Sequence, residues 1–276
     1  MTHSILITGC SSGIGLSTAL LLKQRGYRVF AAVRKASDIE KLKAQGIDEA
    51  IPLDVTNAAS RVNAIETILQ ITGGTLDALF NNAGFLVAGA IEDVNDEWIR
   101  TQFETNVFGV IALTRLILPI MRKQGHGRII QNSSILGIIT MPYYGVYNAS
   151  KFALEGFSNT LRQELHGTGI HVSIINPGPI YSKLRDHSFD IYQQTLAKQD
   201  SLHRHAYQKL EKSYFHPNKK NRRLMYDPKI VVKAVIHALE SRHSHIHYYI
   251  GFPIKLLVFL KRILPEHLFD WLLMKI

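Results

Sequence analysis

A glycine-rich turn near the start of the chain constrains the fold more than any other feature of the sequence. It reads Thr8-Gly9-Cys10-Ser11-Ser12-Gly13-Ile14-Gly15 and joins an apolar run, residues 4–8, directly to a helical pattern, residues 16–24. Glycines there allow a tight turn, and the N-terminus of the following helix offers N–H groups to a pyrophosphate. The turn therefore predicts a dinucleotide site, with an ordinary glycine-rich loop as the alternative. The residues expected to contact the cofactor here are Gly9, Ser11, Ser12, Gly13, Ile14 and Gly15.

Short apolar runs and helical patterns alternate through the first two hundred residues. Further strands are predicted at residues 27–33, 51–53, 76–80, 127–131 and 170–175, with helices at residues 60–70, 108–123 and 150–166. Such alternation is typical of an α/β fold in which helices cover both faces of a parallel sheet. We therefore predict a doubly wound parallel sheet in a single domain, since a chain of 276 residues can bury one large core.

The pattern changes after Ser182. Residues 183–227 are polar and lack periodicity, which predicts a substrate loop or lid. Asp227-Pro228 supplies an N-cap and an N1 proline for a helix to about residue 241, and residues 245–250 follow as a last strand. The tail, residues 253–276, has the pattern of two amphipathic helices separated at Pro265. Residues 1–182 thus form the predicted dinucleotide-binding and catalytic core, and residues 228–276 belong to the same domain.

Composition narrows the class of protein. An apolar share of 46% and a charged share of 20% are typical of a soluble globular chain. The single cysteine, Cys10, excludes an intrachain disulfide and fits a reducing compartment. The start of the chain lacks the basic region of a signal peptide, and no apolar run approaches the roughly 20 residues that span a bilayer. We therefore expect a cytoplasmic protein.

The end of the second predicted strand bears on the choice of cofactor. An NAD enzyme places an acid there to hold the 2′-hydroxyl of the adenosine ribose, whereas this chain has Val33-Arg34-Lys35. Arg34 can pair with a 2′-phosphate in a forked, charge-assisted geometry. NADP(H) is therefore favoured over NAD(H), with a solvated basic turn at Arg34 and Lys35 as the alternative. Asp54, after the third strand, can accept from the adenine amino group or cap the next helix.

Tyr147 and Lys151 are four residues apart, so at the start of a helix they share one face. An ammonium beside a phenol favours the phenolate, and the helix N-terminus adds to the effect. A tyrosine with a free pKa of about 10 needs such help to exchange protons near neutrality. The pair alone is not specific, because Tyr and Lys at this spacing are common on helix surfaces.

Further motifs follow one another in a fixed order along the chain. They are Asp54-Val55, Asn81-Asn82-Ala83-Gly84, Asn106, Ser133-Ser134, Tyr147-xxx-Lys151 and Asn176-Pro177-Gly178. Together with the glycine turn, they resemble the motifs of the short-chain dehydrogenases/reductases over roughly residues 3–182. Within that family, the turn, Arg34 and the C-terminal extension look like the branch of 17β-hydroxysteroid and retinol dehydrogenases and of bacterial NADP-dependent aldehyde and retinal reductases. The resemblance implies a Rossmann-like oxidoreductase that pairs through helices 108–123 and 150–166 into a homodimer or homotetramer.

The resemblance also implies a role for each motif residue. Tyr147 would protonate the carbonyl oxygen during reduction, Lys151 would hold the nicotinamide ribose and lower the pKa of Tyr147, and Ser134 would hydrogen-bond the developing oxyanion. Asn106 would bend its helix and hold a water that links Lys151 to solvent. The other cofactor contacts that it implies are Asp54, Val55, Asn81, Ala83, Gly84, Pro177, Gly178, Ile180 and Ser182. Ser182 stands where the family often has Thr, and the hydroxyl is kept.

The residues expected around the substrate are apolar or aromatic and include no cluster of cations. They are Phe85, Leu86, Ile135, Leu136, Met141, Tyr143 and Tyr144, with Ser134 and Tyr147 at the reacting group. A wall of this kind favours a lipophilic carbonyl or alcohol, such as a steroid, a retinoid or a fatty aldehyde. The alternative for each of these side chains is an ordinary core position.

The formal net charge of +10 raises the question of charged partners. Cations concentrate after residue 182, at Lys219-Lys220, Arg222-Arg223, Lys255 and Lys261-Arg262. In the tail they alternate with large apolar residues, so the helix pair can rest on an anionic membrane; packing on the domain is the favoured alternative. Nucleic acid is not expected, because no recognition module accompanies the charge. No metal site is expected either, since His243, His245 and His247 have no Cys, Asp or Glu ligand beside them.

Three functions remain open at this point. The first is an NADP(H)-dependent reductase acting on a lipophilic aldehyde or ketone. The second is an NAD(P)⁺-dependent dehydrogenase that oxidises a secondary alcohol or hydroxysteroid. The third is a cofactor-sensing or partner-binding protein on the same scaffold, which the filled set of catalytic positions disfavours.

Overall fold

A single seven-stranded sheet organises the chain. The computed structural model describes residues 3–197, 199–215 and 225–275. The strands are β1 (Ser4–Thr8), β2 (Arg28–Val33), β3 (Ala50–Pro52), β4 (Ala78–Asn81), β5 (Gly127–Asn132), β6 (Ile170–Pro177) and β7 (His247–Ile250). They are all parallel, in the order β3-β2-β1-β4-β5-β6-β7. The predicted doubly wound parallel sheet is therefore confirmed, and its strand order reverses between β1 and β4, where ligands of such sheets bind.

Helices cover both faces of this sheet. They are α1 (Gly13–Gln24), α2 (Ala36–Ala44), α3 (Ala58–Thr72), α4 (Asp96–Phe103), α5 (Gly109–Gln124), α6 (Gly145–Glu164), α7 (Leu184–Thr195), α8 (Arg204–Leu210), α9 (Pro228–Glu240), α10 (Phe252–Ile263) and α11 (Glu266–Leu273). One core contains side chains of α1 and α9, and the core on the other face contains side chains of α3, α5 and α6. The sequence did not predict α2 or α4, which bury only Leu42 and Gln102, respectively.

The segment after β6 differs from the predicted loop, because much of it is helical. After α7 and α8, a π-helical turn spans Glu211–Phe215. Burial of part of its apolar side chains orders this segment despite its polar composition, although Leu202 is exposed. The buried ones are Ile191, Tyr192, Leu196, Tyr207, Leu210 and Phe215. The basic residues Lys219-Lys220 and Arg222-Arg223 lie outside the described residues.

One helical run is longer and more apolar than the sequence suggested. Residues Asp96–Gln124 form a continuous stretch of 29 residues whose most apolar part has a mean hydropathy of 1.4. By length and composition alone this stretch can cross a bilayer. In the fold, however, its second half, α5, packs on the sheet through side chains such as Leu113, Ile117 and Met121. We interpret the stretch as a core helix.

Two glycines of the turn after β1 are required by close backbone contacts. Gly9 has a left-handed φ of +71°, and a Cβ on it would lie 2.9 Å from the Cα of Ala83. Gly15 lies in α1, and a Cβ there would lie 2.4 Å from the carbonyl oxygen of Gly9. Any larger residue would push the turn away from the segment after β4. The glycines thus set the distance between the two strand ends that flank the predicted cofactor site.

The close contact at Gly15 predicts the effect of a single methyl group. Gly15→Ala should lower the free energy of unfolding by about 1–3 kcal/mol, because backbone atoms must move to admit the Cβ. Gly156→Ala is the matched control, since Gly156 is also helical and no atom lies within 4 Å of its would-be Cβ. That variant should gain roughly 0.5–1 kcal/mol from helix propensity. Urea unfolding measures both; equal stabilities for the two variants would refute the close-contact account.

Candidate active site

The predicted catalytic residues meet at the carboxyl ends of β4 and β5. Ser134 follows β5, while Tyr147 and Lys151 lie in the first turns of α6. All three are less than 10% exposed. Gly84, after β4, lies between Lys151 and Asn106, since its would-be Cβ is 3.9 Å from the Lys151 Nζ and 3.1 Å from the Asn106 Oδ1. The structure therefore brings the four predicted catalytic residues together.

Lys151 is a buried ammonium with a main-chain partner. Its Nζ donates a hydrogen bond to the carbonyl oxygen of Asn132, 2.7 Å away, at the end of β5. Burial lowers the pKa of Lys151 to about 8, and the negative charge of Glu155 opposes this effect. The residue therefore changes its charge in a range accessible to a working enzyme.

Tyr147 and Ser134 form a hydroxyl pair beside this lysine. Burial raises the pKa of the Tyr147 phenol, and its hydrogen bond with Ser134 acts in the opposite direction. The sequence-based expectation that Lys151 lowers the Tyr147 pKa stays a prediction. The Lys151 Nζ lies 5.6 Å from the centre of the Tyr147 ring. The phenol is neutral at pH 7, which is the state of a proton donor.

Asn106 lies in a π-helical segment, Glu104–Phe108, between α4 and α5. The helix type changes locally at this residue, and the predicted bend of the helix stays a prediction. Its side chain is fully engaged: Oδ1 accepts from the Phe85 N–H at 3.1 Å, and Nδ2 donates to the Phe85 carbonyl and to the Ser150 Oγ. These bonds fix the segment after β4 against α6. The predicted water relay from Lys151 through Asn106 stays a prediction.

A buried polar network behind Lys151 was missed by sequence reasoning. Glu155, one helical turn beyond Lys151, accepts a hydrogen bond from the Asn176 Nδ2. Burial raises the pKa of Glu155, while hydrogen bonds from Ser133 and Asn176 and the charge of Lys151 lower it. His247 on β7 completes the network, with its Nδ1 3.2 Å from the Asn176 Oδ1 and 3.6 Å from Glu155. In the sequence, Lys and Glu at this spacing look like an ordinary surface ion pair.

Two asparagine amides join the catalytic residues to the glycine turn. Asn132, whose carbonyl holds Lys151, donates from its Nδ2 to the Asn82 Oδ1 at 2.9 Å. Asn82 in turn donates to the carbonyl oxygens of Thr8 and Gly9. The Thr8 hydroxyl accepts from the N–H groups of Asn82 and Ala83, so the two strand ends are tied twice. Asn82 is thus a positioning residue of the turn.

On the adenosine side of the predicted cofactor site, some of the predicted side chains are exposed and others are bonded within the protein. Arg34 and Lys35 are exposed directly after β2. The Asp54 Oδ1 accepts from the N–H and hydroxyl of Thr56, and Asn57, not Asp54, caps α3. The role of Asp54 toward adenine stays a prediction. The Asn81 side chain differs from the expectation, because it is buried and donates to the Thr114 Oγ1 on α5.

Val55 also faces the interior, since it is 6% exposed and belongs to the core beneath α3 and α5. Side-chain contact of Val55 or Asn81 with a cofactor is therefore not supported. Asn81 is the last residue of β4, and Val55 lies three residues after β3. At Val55 and Asn81 the side chains of the motifs therefore serve packing of the core.

The segment after β6 lies over the glycine turn, as the predicted nicotinamide contacts require. A Cβ on Gly13 would lie 3.0 Å from the Cβ of Ser182. Gly178 packs on α10, since its would-be Cβ lies 2.8 Å from Ile254. Ile180 forms an isolated bridge with Tyr226, which anchors the segment that starts at Pro177. The structure therefore places Ser182 against the glycine turn, while Gly178 and Ile180 contact α10 and Tyr226, respectively.

The residues around the turn fit a dinucleotide pyrophosphate. Ser12 is the N-cap of α1 and makes no side-chain capping bond, and the first turn of α1 has no acidic residue. Gly13 has a φ of +58°, a left-handed conformation that favours glycine, and it places no side chain at the start of the helix. A cleft of ≈ 530 Å³ opens there, next to Ser12 and Gly13, and its charged lining residues are the cations Lys41 and Lys183 and the carboxylates Asp38 and Asp186. The N–H groups in the first turn of a helix, with no acidic side chain in that turn, suit an anionic diphosphate.

The substrate side is a continuous apolar cluster, which we call the substrate-side cluster. Its buried members include Phe85, Ile135, Tyr144 and Tyr147, with side chains of α7, α8, α10 and α11 packed around them. Most of the residues predicted around the substrate therefore lie together in this cluster, and their contact with a substrate stays a prediction. Met141 is the exception, because its side chain is 37% exposed and lies outside the cluster. It follows the short helical turn Ile135–Gly137 in a loop that turns outward before α6.

The lid helices contribute residues that the sequence did not single out. Tyr214 packs edge-on against Tyr144, with ring centres 5.5 Å apart, and lies close enough to Tyr147 to raise its pKa. His187 on α7 contacts the Phe85 ring at 5.9 Å. Burial lowers the pKa of His187, and the charges of Arg34 and Lys35 lower it further. The lid therefore reaches from the catalytic phenol to the cations after β2.

The three alternating histidines do not share a strand face. Only His247 lies on β7, while His245 stacks on His237 with ring centres 5.0 Å apart. In the part of the chain that the structure describes, no three His, Cys, Asp or Glu side chains are placed to hold a metal ion.

Comparison with known proteins found a matching family model, similar proteins and similar solved structures. A family model for short chain dehydrogenases matches residues 3–192. The uncharacterized oxidoreductase YbbO of Escherichia coli strain K12 is 36% identical over 273 residues, 99% of this chain and 94% of YbbO. Human 17-beta-hydroxysteroid dehydrogenase type 1 is 29% identical over 256 residues, 89% of this chain and 76% of that protein. A solved structure of an actinorhodin polyketide ketoreductase variant with NADPH has a TM-score of 0.74 at 27% identity, covering 87% of this chain and 91% of that chain.

The lowered pKa of Lys151 predicts a pH dependence. The kcat/KM for the cofactor should fall as the pH rises through about 8, because Lys151 then loses the charge with which it faces the site. Glu155→Gln should move this fall to lower pH, since the carboxylate that favours the charged lysine is removed.

The matched control is Glu164→Gln, which removes the same charge from an exposed position on the same helix. It should leave the pH profile where it is. A profile that stays in place in Glu155→Gln, or that moves to higher pH, would show that Glu155 does not act on Lys151.

Proposed function

Because the chain belongs to the short-chain dehydrogenases, we propose that it reduces a lipophilic aldehyde or ketone to the alcohol with NADPH. The observation that carries this proposal is the buried pair of hydroxyls, Tyr147 and Ser134, beside the Lys151 ammonium. Two O–H groups that converge in a dry site can both donate to one carbonyl oxygen. The chemistry is reversible, and the proposed direction rests on the preference for NADP(H), because cells hold that cofactor mostly reduced.

The residues divide the reaction between them. When bound, NADPH supplies the hydride that adds to the carbonyl carbon. The Tyr147 phenol gives its proton to the carbonyl oxygen as the C–O double bond becomes single, and Ser134 donates a hydrogen bond to the same oxygen. Lys151 stabilises the phenolate left on Tyr147 until a proton is returned to it. The products are the alcohol and the oxidised cofactor.

The preference for NADP(H) rests on the end of β2. Arg34 and Lys35 are exposed there, and the sequence has no acid at that place to repel a 2′-phosphate. The charges of both cations lower the pKa of His187, with Asp190 acting in the opposite direction, so Arg34 and Lys35 lie within electrostatic reach of the lid. The polyketide ketoreductase with a similar fold was solved with NADPH. Together these observations support NADP(H), the cofactor that carries a 2′-phosphate on its adenosine ribose.

The apolar substrate class rests on the substrate-side cluster. Phe85, Ile135 and Tyr144 enclose the reacting hydroxyls, and none of them offers a charge to a carboxylate or phosphate. Human 17-beta-hydroxysteroid dehydrogenase type 1 is a similar protein whose name gives an apolar substrate. A screen of NADPH consumption with retinal, medium- and long-chain aldehydes and keto-steroids tests this class. Turnover confined to polar carbonyl compounds would contradict it.

Removal of one hydroxyl separates an enzyme from a binding protein. Tyr147→Phe should lower kcat by about 10²- to 10⁴-fold, because the proton donor is lost, while NADPH binding measured by fluorescence is kept. Tyr27→Phe is the control, since Tyr27 lies before β2 at the other end of the sheet and should leave turnover unchanged. Full turnover in Tyr147→Phe would end the proposed mechanism.

The choice of cofactor has a separate test. Arg34→Ala should weaken NADPH binding by about 10- to 100-fold, as expected for a lost charge-assisted hydrogen bond, and leave NADH binding unchanged. Lys43→Ala, which removes an exposed cation from the neighbouring α2, is the matched control. If NADPH and NADH affinities fell equally in Arg34→Ala, the 2′-phosphate would not be what Arg34 binds.

A further inference from the structure

The C-terminal helix pair, α10 and α11, exposes more apolar surface than its packing explains. Residues 252–275 carry seven of the eighteen large apolar side chains that are exposed in the described part of the chain. Single exposed apolar residues are normal on a protein surface, but a dense group marks an interaction surface. The seven are Phe252, Leu256, Phe259, Ile263, Leu268, Trp271 and Met274.

Helix α10 has two apolar faces with different surroundings. Ile254 and Val258 are 5% exposed and pack into the substrate-side cluster. The opposite face carries Phe252, Leu256, Phe259 and Ile263, which we call the tail stripe; these residues are 77%, 46%, 58% and 57% exposed, respectively. Their spacing of four, three and four residues places them within about 60° of arc on a helix. One face thus anchors the helix, and the tail stripe is left to solvent.

Helix α11 extends this surface. Its Phe269 is buried in the substrate-side cluster, while Leu268 and Trp271 are 46% and 56% exposed. Lys275 lies over the Trp271 ring, with its Nζ 4.9 Å from the ring centre. An exposed tryptophan beside a lysine suits the boundary between lipid headgroups and acyl chains.

The charged residues of α10 and α11 indicate what kind of surface the exposed apolar side chains would contact. Residues 252–275 contain four cations and two carboxylates, Glu266 and Asp270. Two of the cations have partners on the domain, since Lys261 donates to the Ile138 carbonyl and Arg262 bonds to Tyr249. The other two are Lys255, on α10, and Lys275, beside Trp271. A recess of ≈ 480 Å³ at the start of α10 is lined by Phe252, Lys255, His245 and His247, among others, so N–H donors adjoin the apolar stripe. Apolar side chains flanked by cations match an anionic bilayer surface, in which acyl chains lie beneath phosphates.

We infer that the tail stripe and Trp271 dock this protein on the surface of an anionic membrane. The sequence favoured packing of the tail on the domain; the structure has that packing on one face of α10 and leaves the other face for the bilayer. The docked helix is also a wall of the substrate-side cluster, so a membrane-dissolved compound would reach the site past α10. This last point rests on the proposed function, whereas the docking does not.

Flotation with lipid vesicles tests the docking directly. The full chain, without cofactor or substrate, is mixed with vesicles of phosphatidylcholine containing about a third phosphatidylglycerol, or of phosphatidylcholine alone. The wild type should float with the anionic vesicles and much less with the neutral ones. The double variant Phe252→Asp/Phe259→Asp should bind at least tenfold more weakly, because two acids replace the most exposed part of the stripe.

The matched control is Val62→Asp/Ile71→Asp, which makes the same change at two exposed apolar positions of α3. It should float like the wild type. Equal thermal unfolding of the tail variant and the wild type shows that the fold is intact, as expected for exposed side chains. A wild type that stays in solution, or a tail variant that floats like the control, would overturn the proposal.

Trp271 gives a second readout. The chain has two tryptophans, so Trp98→Phe leaves Trp271 as the single emitter. Its emission should shift to shorter wavelength on addition of anionic vesicles, since the ring leaves water. If the shift instead occurs on raising the protein concentration without lipid, and light scattering shows assembly that the tail variant abolishes, a second copy of the chain covers the stripe and the membrane proposal is wrong.

Discussion

The chain of hydrogen bonds from Lys151 through Asn132 and Asn82 to the glycine turn is the interaction on which the site depends. It runs from the Lys151 Nζ to a main-chain carbonyl, then through two side-chain amides to the carbonyl oxygens of Thr8 and Gly9. Each member is buried or partly buried, so breaking one link leaves polar atoms without partners, which is costly. The chain therefore holds the turn that faces the cofactor at a fixed distance from the group that works on the substrate.

Burial then determines how the catalytic groups titrate. The same dry surroundings raise the pKa of Tyr147 and lower that of Lys151, which brings the phenol and the ammonium to their less charged forms. Glu155 works against this for the lysine, and Asn176 and His247 keep that carboxylate in place. The lid and the tail supply much of the apolar cover. The helices of the lid and the tail thus affect the pKa values of the catalytic groups, because they help to bury them.

The sequence was sufficient for the sheet and the main site residues because these have strong local signals. The glycine turn marks β1 and α1 at once, and the spacing of Tyr147 and Lys151 has meaning beside Ser134 and Asn106. Other features depend on contacts between distant segments, which no local pattern reports. Helix α7 is ordered within a polar segment because Ile191 and Tyr192 pack into the substrate-side cluster. The partnership of Glu155 with Asn176 and His247 joins α6 to two strands, and the outward position of Met141 depends on the loop before α6.

The direct test of the account follows the hydrogen that the reaction transfers. The enzyme would be incubated with NADPH deuterated at C4 of the nicotinamide, on one face or the other, and with a mixture of retinal, dodecanal and a keto-steroid. The account predicts that one of the two labelled cofactors yields an alcohol heavier by one deuterium on the former carbonyl carbon. Alcohol formed without label from either cofactor, or no cofactor oxidation with any of the three compounds, would contradict it.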